Sequence, residues 1–392
     1  MNTTLLIFGI TGDLSRRKLL PALQSIQNDA PHAVQRIIGV SRREVDVEAL
    51  VKEATGTYDL AAKTSVFTMD LADSSAYGCL KDYINLPDNE QLVIYLSVPP
   101  GAAADIVDFL GEAGLNTPNV KIMFEKPFGF DLASAVEFID RTSRYYTEDQ
   151  IYRIDHYMGK ELAQEILRVR RDVQNHHHTW SGASIATIRI VASEKIGIEG
   201  RAQFYEQTGA LRDFLQGHLM QLLSLLLIDT PGASGLPKER LRALQQLKPA
   251  DPSKAARGQY EGYQDEVQNP GSVTETYASL TLESSDPKWR GVTLQLITGK
   301  ALDTKRSYIQ ILYKDGSEEI FEEGRVLPDG AKAMDAYERV LLAAIEGEKD
   351  IFTTSDEVLR AWHIVAPVQR AWAMDTTDLT LYPKGTSLTR YI

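Results

Sequence analysis

Thr3-Thr4-Leu5-Leu6-Ile7-Phe8-Gly9-Ile10-Thr11-Gly12-Asp13-Leu14 reads as a short apolar strand running into a glycine turn. A helix pattern follows through Leu19, Leu20, Leu23 and Ile26. Strand, glycine turn and helix are the parts of a dinucleotide-binding unit, in which backbone N–H groups meet a pyrophosphate. The spacing is G-x-x-G, with two glycines rather than three, so alone it is a weak signal and needs its neighbours. Pro21 inside the pattern predicts a kink. Arg16, Arg17 and Lys18 crowd the helix start, where the helix's own partial positive charge disfavours cations. The glycine turn upstream points to phosphate as what offsets them; a solvated charge run is the plainer alternative.

Working outward, Arg36-Ile37-Ile38-Gly39-Val40 is a second strand, followed by Ser41-Arg42-Arg43. In nicotinamide-binding units an acidic residue at this strand end holds the ribose hydroxyls, whereas Arg accommodates a 2′-phosphate. Ser41 and Arg42 therefore favour NADP, with NAD as the alternative; two solvated arginines on a loop fit this feature equally well. Further strands are expected at Gln91–Val98 and Val120–Phe124, with a helix over Ala102–Leu110 between them. Strands alternating with helices imply a doubly wound parallel sheet with ligands at the C-terminal strand ends. Glu125-Lys126-Pro127 lies at such an end, where Lys126 can reach cofactor or substrate. The expected Rossmann-type domain spans residues 1–150.

Residues 151–392 are expected to form an α+β domain with a large, mainly antiparallel sheet. It opens on Arg153-Ile154-Asp155-His156-Tyr157-Met158-Gly159-Lys160-Glu161, which brings carboxylate, imidazole, phenol and ammonium within six positions. An apolar helix pattern follows through Leu162, Ile166, Leu167 and Val169. Lys160 then falls in a first helical turn, which is unfavourable for a cation unless an anion binds there. The stretch reads as a phosphate site with an acid–base residue beside it. An ordinary helix start with Asp155 as N-cap is the plain alternative. His176-His177-His178 reads as a solvated loop rather than a metal site, because sequence neighbours rarely converge on one ion. Ile185–Val191 reads as a strand leading to Glu194. Phe204–Gln221 reads as one helix with a leucine face at Leu211, Leu215, Leu219, Leu222, Leu223 and Leu226. On that helix Asp213 and His218 lie about 140° apart at 3.6 residues per turn, placed to flank a ligand rather than to pair. Residues 231–269 read as a peripheral excursion. Thr274–Leu282, Gly291–Ile297 and Ser307–Tyr313 read as adjacent antiparallel strands. The Thr298–Lys305 connection brings Lys300 and Lys305 to one rim. Helices close the chain at Ala336–Glu346 and Ser355–Met374.

Bulk numbers narrow the function classes. A chain of 392 residues, 43% hydrophobic and 24% charged, is ordinary for a soluble two-domain protein. No apolar run spans a bilayer, and the start of the chain reads as a strand, not a signal peptide. Cys79 is the only cysteine, which excludes intramolecular disulfides and fits a reducing, cytoplasmic setting. No metal-ligand framework is present. The net charge of −12 disfavours nucleic acid and requires a local basic pocket for any anionic substrate.

These residues together resemble the glucose-6-phosphate dehydrogenase family over nearly the whole chain. The resemblance rests on Ile7–Leu14 with Arg17-Lys18-Leu19, Glu125-Lys126-Pro127-Phe128-Gly129, Arg153–Glu161 and Gly209–Gln221. It continues in Thr274–Ala278 with Trp289–Val292, Thr298-Gly299-Lys300 and Ser355–Val358. The family resemblance implies oxidation of glucose 6-phosphate at C1 to the lactone with hydride passed to NADP or NAD, the first step of the oxidative pentose phosphate pathway. It implies His218 as general base and Asp155 as the carboxylate that orients it. It implies His156, Tyr157 and Lys160 as phosphate ligands, and Glu194, Asp213, Lys300 and Lys305 as further substrate contacts. Lys18 and Lys126 would sit between cofactor and substrate, and Gly9, Gly12, Asp13, Leu14 and Arg42 would line the NADP site. A homodimer or homotetramer is implied as well, with neither nucleic acid nor membrane as partner. Departures are Gly217 where the family usually has Asn, Glu206 where it usually has Asp, and a segment missing before Asp335. Gly217 and Glu206 leave open a dehydrogenase for another phosphorylated or acidic hexose. A non-catalytic cofactor-binding protein on the same fold is the remaining alternative.

Overall fold

The computed structural model describes residues 2–171, 180–229, 235–323 and 334–388. The triple-histidine loop and the stretch immediately before Met334 lie outside the described residues. The chain divides into two compact units.

The first comprises Met1–Phe128, Ser134–Gly159 and Met334–Ser355. Its strands are β1 (Asn2–Phe8), β2 (Arg36–Ser41), β3 (Thr64–Thr68), β4 (Glu90–Leu96), β5 (Val120–Phe124) and β6 (Ile151–Ile154). They pair in parallel in the order β6-β5-β4-β1-β2-β3, and the two-residue strand Phe352–Thr353 adds antiparallel to β6. Leu5–Phe8 and Leu92–Tyr95 are all fully buried. A strand covered on both faces needs such an unbroken apolar run, not alternation. The order reverses between β1 and β4, and ligands of doubly wound sheets bind at that switch point.

Two expectations change here. The helix after the glycine turn does not simply kink at Pro21. Ser15–Leu19 is a π-helical turn, closed by Leu20 N–H to the Ser15 carbonyl, and an α-helix, Leu20–Asp29, takes over with Pro21 in its first turn. Pro21 has no N–H to donate back to the preceding turn, and it sits where the π-helical turn hands over to the α-helix. The unit also reaches beyond residues 1–150. β6 pairs with β5, and Lys121 Nζ donates to the carbonyls of Ala344 and Ile345 at 2.7 and 3.1 Å, capping the C-terminal end of the Ala336–Glu346 helix. Those bonds span over two hundred residues of sequence, out of reach of local pattern.

The second unit comprises Gly129–Ala133, Lys160–Ala333 and Asp356–Ile392. Its strands are β7 (Ile185–Ser193), β8 (Ala255–Tyr260), β9 (Tyr277–Leu282), β10 (Thr293–Gly299), β11 (Arg306–Tyr313), β12 (Glu318–Glu322) and an edge strand, Leu379–Tyr382. The order is β12-β11-β7-β10-β9-β8-edge. The sheet is mainly antiparallel; β7 runs parallel to β10, and β8 to the edge strand. β10 and β11 are therefore not neighbours as expected. β7, Ile185-Ala186-Thr187-Ile188-Arg189-Ile190-Val191-Ala192-Ser193, inserts between them and supplies the apolar centre.

The segment read as a peripheral excursion is built into this unit. It holds the helix Leu236–Gln246 and strand β8. Arg240 on that helix and Glu357 form an ion pair, Nε to Oε1 at 2.7 Å, with both side chains fully buried. A buried charge stays ionised only when paired. The leucine face is as expected, with all six leucines buried.

Candidate active site

In the first unit, β1 ends on Gly9 at φ 79°, and Gly12 N–H donates to the Gly9 carbonyl at 2.9 Å. A Cβ on Gly9 would stand 2.2 Å from the Ser97 carbonyl oxygen, so the turn accepts only glycine. Ser15 Oγ donates to the Gly9 carbonyl at 2.9 Å and fixes the turn from the helix side. Beside it lies a cavity of about 440 Å³ lined by Gly9, Gly12, Val40, Arg42, Ser97 and Ile106, among others. A second cavity of about 560 Å³ is lined by Thr11, Ser41, Arg42, Arg43, Glu44 and neighbours. Arg42 borders both. Arg42 and Arg43 are exposed and have no ion-pair partner among the described residues. An extended groove with a glycine floor and two uncompensated guanidinium groups fits a dinucleotide that carries an extra phosphate.

Asp13, Leu14 and Lys18 do not line these cavities. Two of the three crowded cations need no phosphate. Arg16 pairs with Glu53, and Arg17 Nε pairs with Asp13 Oδ1 at 2.7 Å. Lys18 is exposed.

At the C-terminal ends of β4, β5 and β6 the chain gathers a second group. The Tyr95 hydroxyl, fully buried, donates to Glu125. Desolvation pushes the Glu125 carboxyl up to about 7; the Tyr95 hydrogen bond opposes that, and the negative charge of Asp155 adds to it. Asp155 is 1% exposed, and its Oδ1 accepts the Tyr157 N–H at 3.0 Å, so it does cap the short His156–Gly159 helix. Capping fixes the carboxylate in space. The His156 ring stacks on Tyr337, centroids 6.1 Å apart and planes 13° apart. Sequence reading passed over Tyr337. The available signal was Asp335, whose Oδ1 accepts the Tyr337 N–H at 2.8 Å, with Glu338 three residues on as a capping pattern.

In the second unit Lys160 begins the Glu161–Arg171 helix, its carbonyl accepting the Gln164 N–H, and Lys160 Nζ lies 3.2 Å from Glu323 Oε2. Lys300 and Lys305 do not share a rim. Lys300 is 2% exposed and paired with Glu194, its Nζ 5.2 Å from the Tyr205 ring centre and 5.8 Å from that of Phe214. Its backbone is fixed by Lys300 N–H to the Thr276 carbonyl at 2.9 Å and by the Tyr382 hydroxyl to its own carbonyl at 2.8 Å. Lys305 is exposed. Packing decided this difference; both lysines sit in one polar connection.

The helix expected over Phe204–Gln221 is broken. Gly209 adopts φ 61°, ψ −178°, separating the Ala202–Ala210 helix from a π-helical segment, Leu211–Leu219. In a π-helix each N–H reaches the carbonyl five residues back, so residues five apart stack one turn above another. Positions 213 and 218 thus share a face instead of lying about 140° apart. His218 is 5% exposed, and its ring meets Phe214 edge-on at 5.5 Å. Glu206, one of the two departures that leave another hexose open, is held by three side-chain donors. It accepts from the Tyr263 hydroxyl at 2.7 Å, Asn269 Nδ2 at 2.9 Å and the Ser272 hydroxyl at 2.6 Å. Partial burial works to raise its carboxyl, but those donors outweigh it and hold the group below its ordinary value.

Among the described residues no His/Cys/Asp/Glu group has metal-site geometry, and no helix is long and apolar enough to cross a membrane. Comparison with known proteins covers both units. The family description "Glucose-6-phosphate dehydrogenase, NAD binding domain" matches residues 6–165. "Glucose-6-phosphate dehydrogenase, C-terminal domain" matches residues 167–329 and 326–390. The glucose-6-phosphate 1-dehydrogenase of Dickeya dadantii is 30% identical over 460 aligned positions, covering 97% of this chain and 94% of that one. The aligned length exceeds 392, so the relative carries segments that this chain lacks. The crystal structure of glucose-6-phosphate 1-dehydrogenase from Mycobacterium avium matches with TM-score 0.86 at 28% identity, covering 99% of this chain and 95% of that one. A glucose-6-phosphate dehydrogenase in complex with glucose 6-phosphate matches with TM-score 0.88 at 25% identity, covering 98% and 95%.

Proposed function

Because this chain belongs to the glucose-6-phosphate dehydrogenase family, we infer that it oxidises D-glucose 6-phosphate at C1 to 6-phospho-D-glucono-1,5-lactone, with hydride transfer to NADP. The observation that carries the reading is that the likeness to this family runs through both units of the chain. A pyridine nucleotide is the cofactor of the family. Gly9 and Gly12 would hold its pyrophosphate, and Arg42 with Arg43 its 2′-phosphate. When bound it supplies the ring carbon that accepts hydride.

The chain's own residues do the rest. His218 takes the C1 hydroxyl proton as hydride leaves, because a sugar hydroxyl does not ionise at neutral pH; such base catalysis contributes roughly 10²–10⁴-fold. Asp155 sets the imidazole tautomer and stabilises its cationic form, as carboxylates do in hydrolase triads. His156, Tyr157 and Lys160 bind the phosphate, which lies away from C1 and so supplies remote binding energy for orientation. Glu194, Asp213, Lys300 and Lys305 contact the substrate, and Lys126 lies between sugar and cofactor. Asp13, Leu14 and Lys18 remain proposed cofactor contacts through the family resemblance. The assembly we propose is a homodimer or homotetramer, which light scattering tests.

The deciding assay follows reduced nicotinamide at 340 nm with glucose 6-phosphate, glucose, other hexose phosphates, NADP and NAD. Activity confined to glucose 6-phosphate and greater with NADP supports the reading. Activity with another phosphorylated hexose alone would reassign the sugar. No reduction with any sugar, alongside tight NADP binding, would make the protein a non-catalytic member of the family.

A further inference from the structure

The Leu211–Leu219 segment carries the proposed base and one proposed sugar contact, and a residue outside it holds it in register. We propose that Glu275 is a positioning residue for this reaction, its carboxylate and backbone carbonyl together capping the start of the helical segment that bears Asp213 and His218. The inference rests on the functional reading above. Leu211 N–H donates to Glu275 Oε1 at 2.9 Å, and Ala210 N–H donates to the Glu275 carbonyl at 2.9 Å. These are among the N–H groups that a helix start leaves without a partner. Glu275 is 6% exposed, so the cap is internal and shielded from water. Burial pushes its carboxyl above the ordinary value, while the Leu211 N–H and the charges of Arg212 and Arg257 oppose that.

Gly209 belongs to the same device. A Cβ there would stand 2.5 Å from Glu275 Oε1 and 2.7 Å from its carboxyl carbon. Only a residue without a side chain lets the carboxylate approach, and only a positive φ turns the chain out of the first helix to meet it. The helix break, the glycine and the buried carboxylate are therefore one arrangement. Its product is the i→i+5 register that sets positions 213 and 218 on one face. Losing the cap lets the segment slip or revert to α-helical winding, which turns His218 and Asp213 apart. Misplacing a catalytic group by about 1 Å lowers turnover roughly 10²-fold.

Three substitutions separate reach from charge. Glu275→Gln keeps an acceptor oxygen at the same reach without charge. Glu275→Asp keeps the charge but falls one methylene short. Glu275→Ala has neither. The expected kcat/KM for glucose 6-phosphate is within about 3-fold of the unaltered protein for Gln, and about 10–100-fold lower for Asp and Ala. Dissociation constants for NADPH, read by its fluorescence, stay equal in all four, since the nucleotide groove lies in the first unit. Amide exchange over residues 210–219 is expected to speed up in the Asp and Ala variants and to hold in the Gln variant. Full activity in the Asp variant, a loss in Gln matching that in Ala, or unaltered exchange in all variants would overturn the proposal. Where Glu275→Ala does not accumulate as folded protein, the Gln and Asp pair carries the test. Should the unaltered protein reduce no nucleotide with any sugar phosphate, the functional reading fails, and the exchange data alone decide the positioning role.

Discussion

Gly9 ends a strand at φ 79° in the first unit, and Gly209 breaks a helix at φ 61° in the second. A Cβ on either would strike an oxygen, the Ser97 carbonyl at 2.2 Å or the Glu275 carboxylate at 2.5 Å. The difference lies in who supplies the oxygen. At Gly9 it is the backbone of Ser97, the residue that follows β4, so no particular side chain is required. At Gly209 it is one particular side chain, buried against the Leu211 N–H from 64 residues along the chain. The first junction belongs to doubly wound sheets in general, in which such a turn meets a pyrophosphate. The second depends on one buried side chain, and we propose that it positions a base.

The largest test of that contrast is His218→Asn on the second junction. It is expected to lower kcat by about 10²–10⁴-fold while leaving NADPH affinity as it was. Turnover within tenfold of normal would mean that the π-helical segment does not carry the base. Next comes Lys300→Met. Removing an ammonium that is 2% exposed leaves Glu194 without its ion-pair partner and should lower unfolding free energy in urea by about 3 kcal/mol. Lys305→Met on the same connection should change it by less than about 0.5 kcal/mol. Equal effects would erase the distinction between the two lysines.

Glu125, on the first unit, gives a smaller effect with a defined sign. Its carboxyl is raised from 4.5 to about 7 in the fold. The folded state therefore holds a proton that the unfolded state releases, so this contribution to stability is full below the unfolded value and is lost as pH rises through about 7. The loss is at most about 3.4 kcal/mol, at about 1.36 kcal/mol per pH unit. Glu125→Gln should therefore gain stability over the unaltered protein in melts at about pH 8, and show little gain at about pH 4.5. A constant difference across that range would show that the carboxyl titrates normally. The smallest effect is Arg42→Ala, which should cut the NADP-over-NAD preference in kcat/KM roughly tenfold, about 1.4 kcal/mol. An unmoved ratio would place the reading of the 2′-phosphate on other residues of the groove.

Legibility followed the same divide. The parallel sheet was readable because strands buried on both faces must be continuously apolar, and Leu5–Phe8 and Leu92–Tyr95 are. The alternating edges of the second sheet were readable as strands, but not their neighbours. Nothing in Gly291–Ile297 or Ser307–Tyr313 announces that β7 inserts between them. Residues 231–269 looked peripheral because they are polar and interrupted by proline and glycine. The partners of their Arg240, Tyr263 and Asn269 lie far along the chain, at Glu357 and Glu206.

Residue types and their spacing determined by themselves the nucleotide-binding half, the leucine face and the inventory of acids, bases and cations. Those depend on period and on local turn chemistry, both written within a dozen residues. Tertiary structure alone decided the register of the helix that bears His218, the burial of Lys300 against the exposure of Lys305, and the diversion of Glu206 into a structural role. Each of these is settled by which distant group desolvates a charge or supplies a missing hydrogen-bond partner, and that information exists only once the chain has closed on itself.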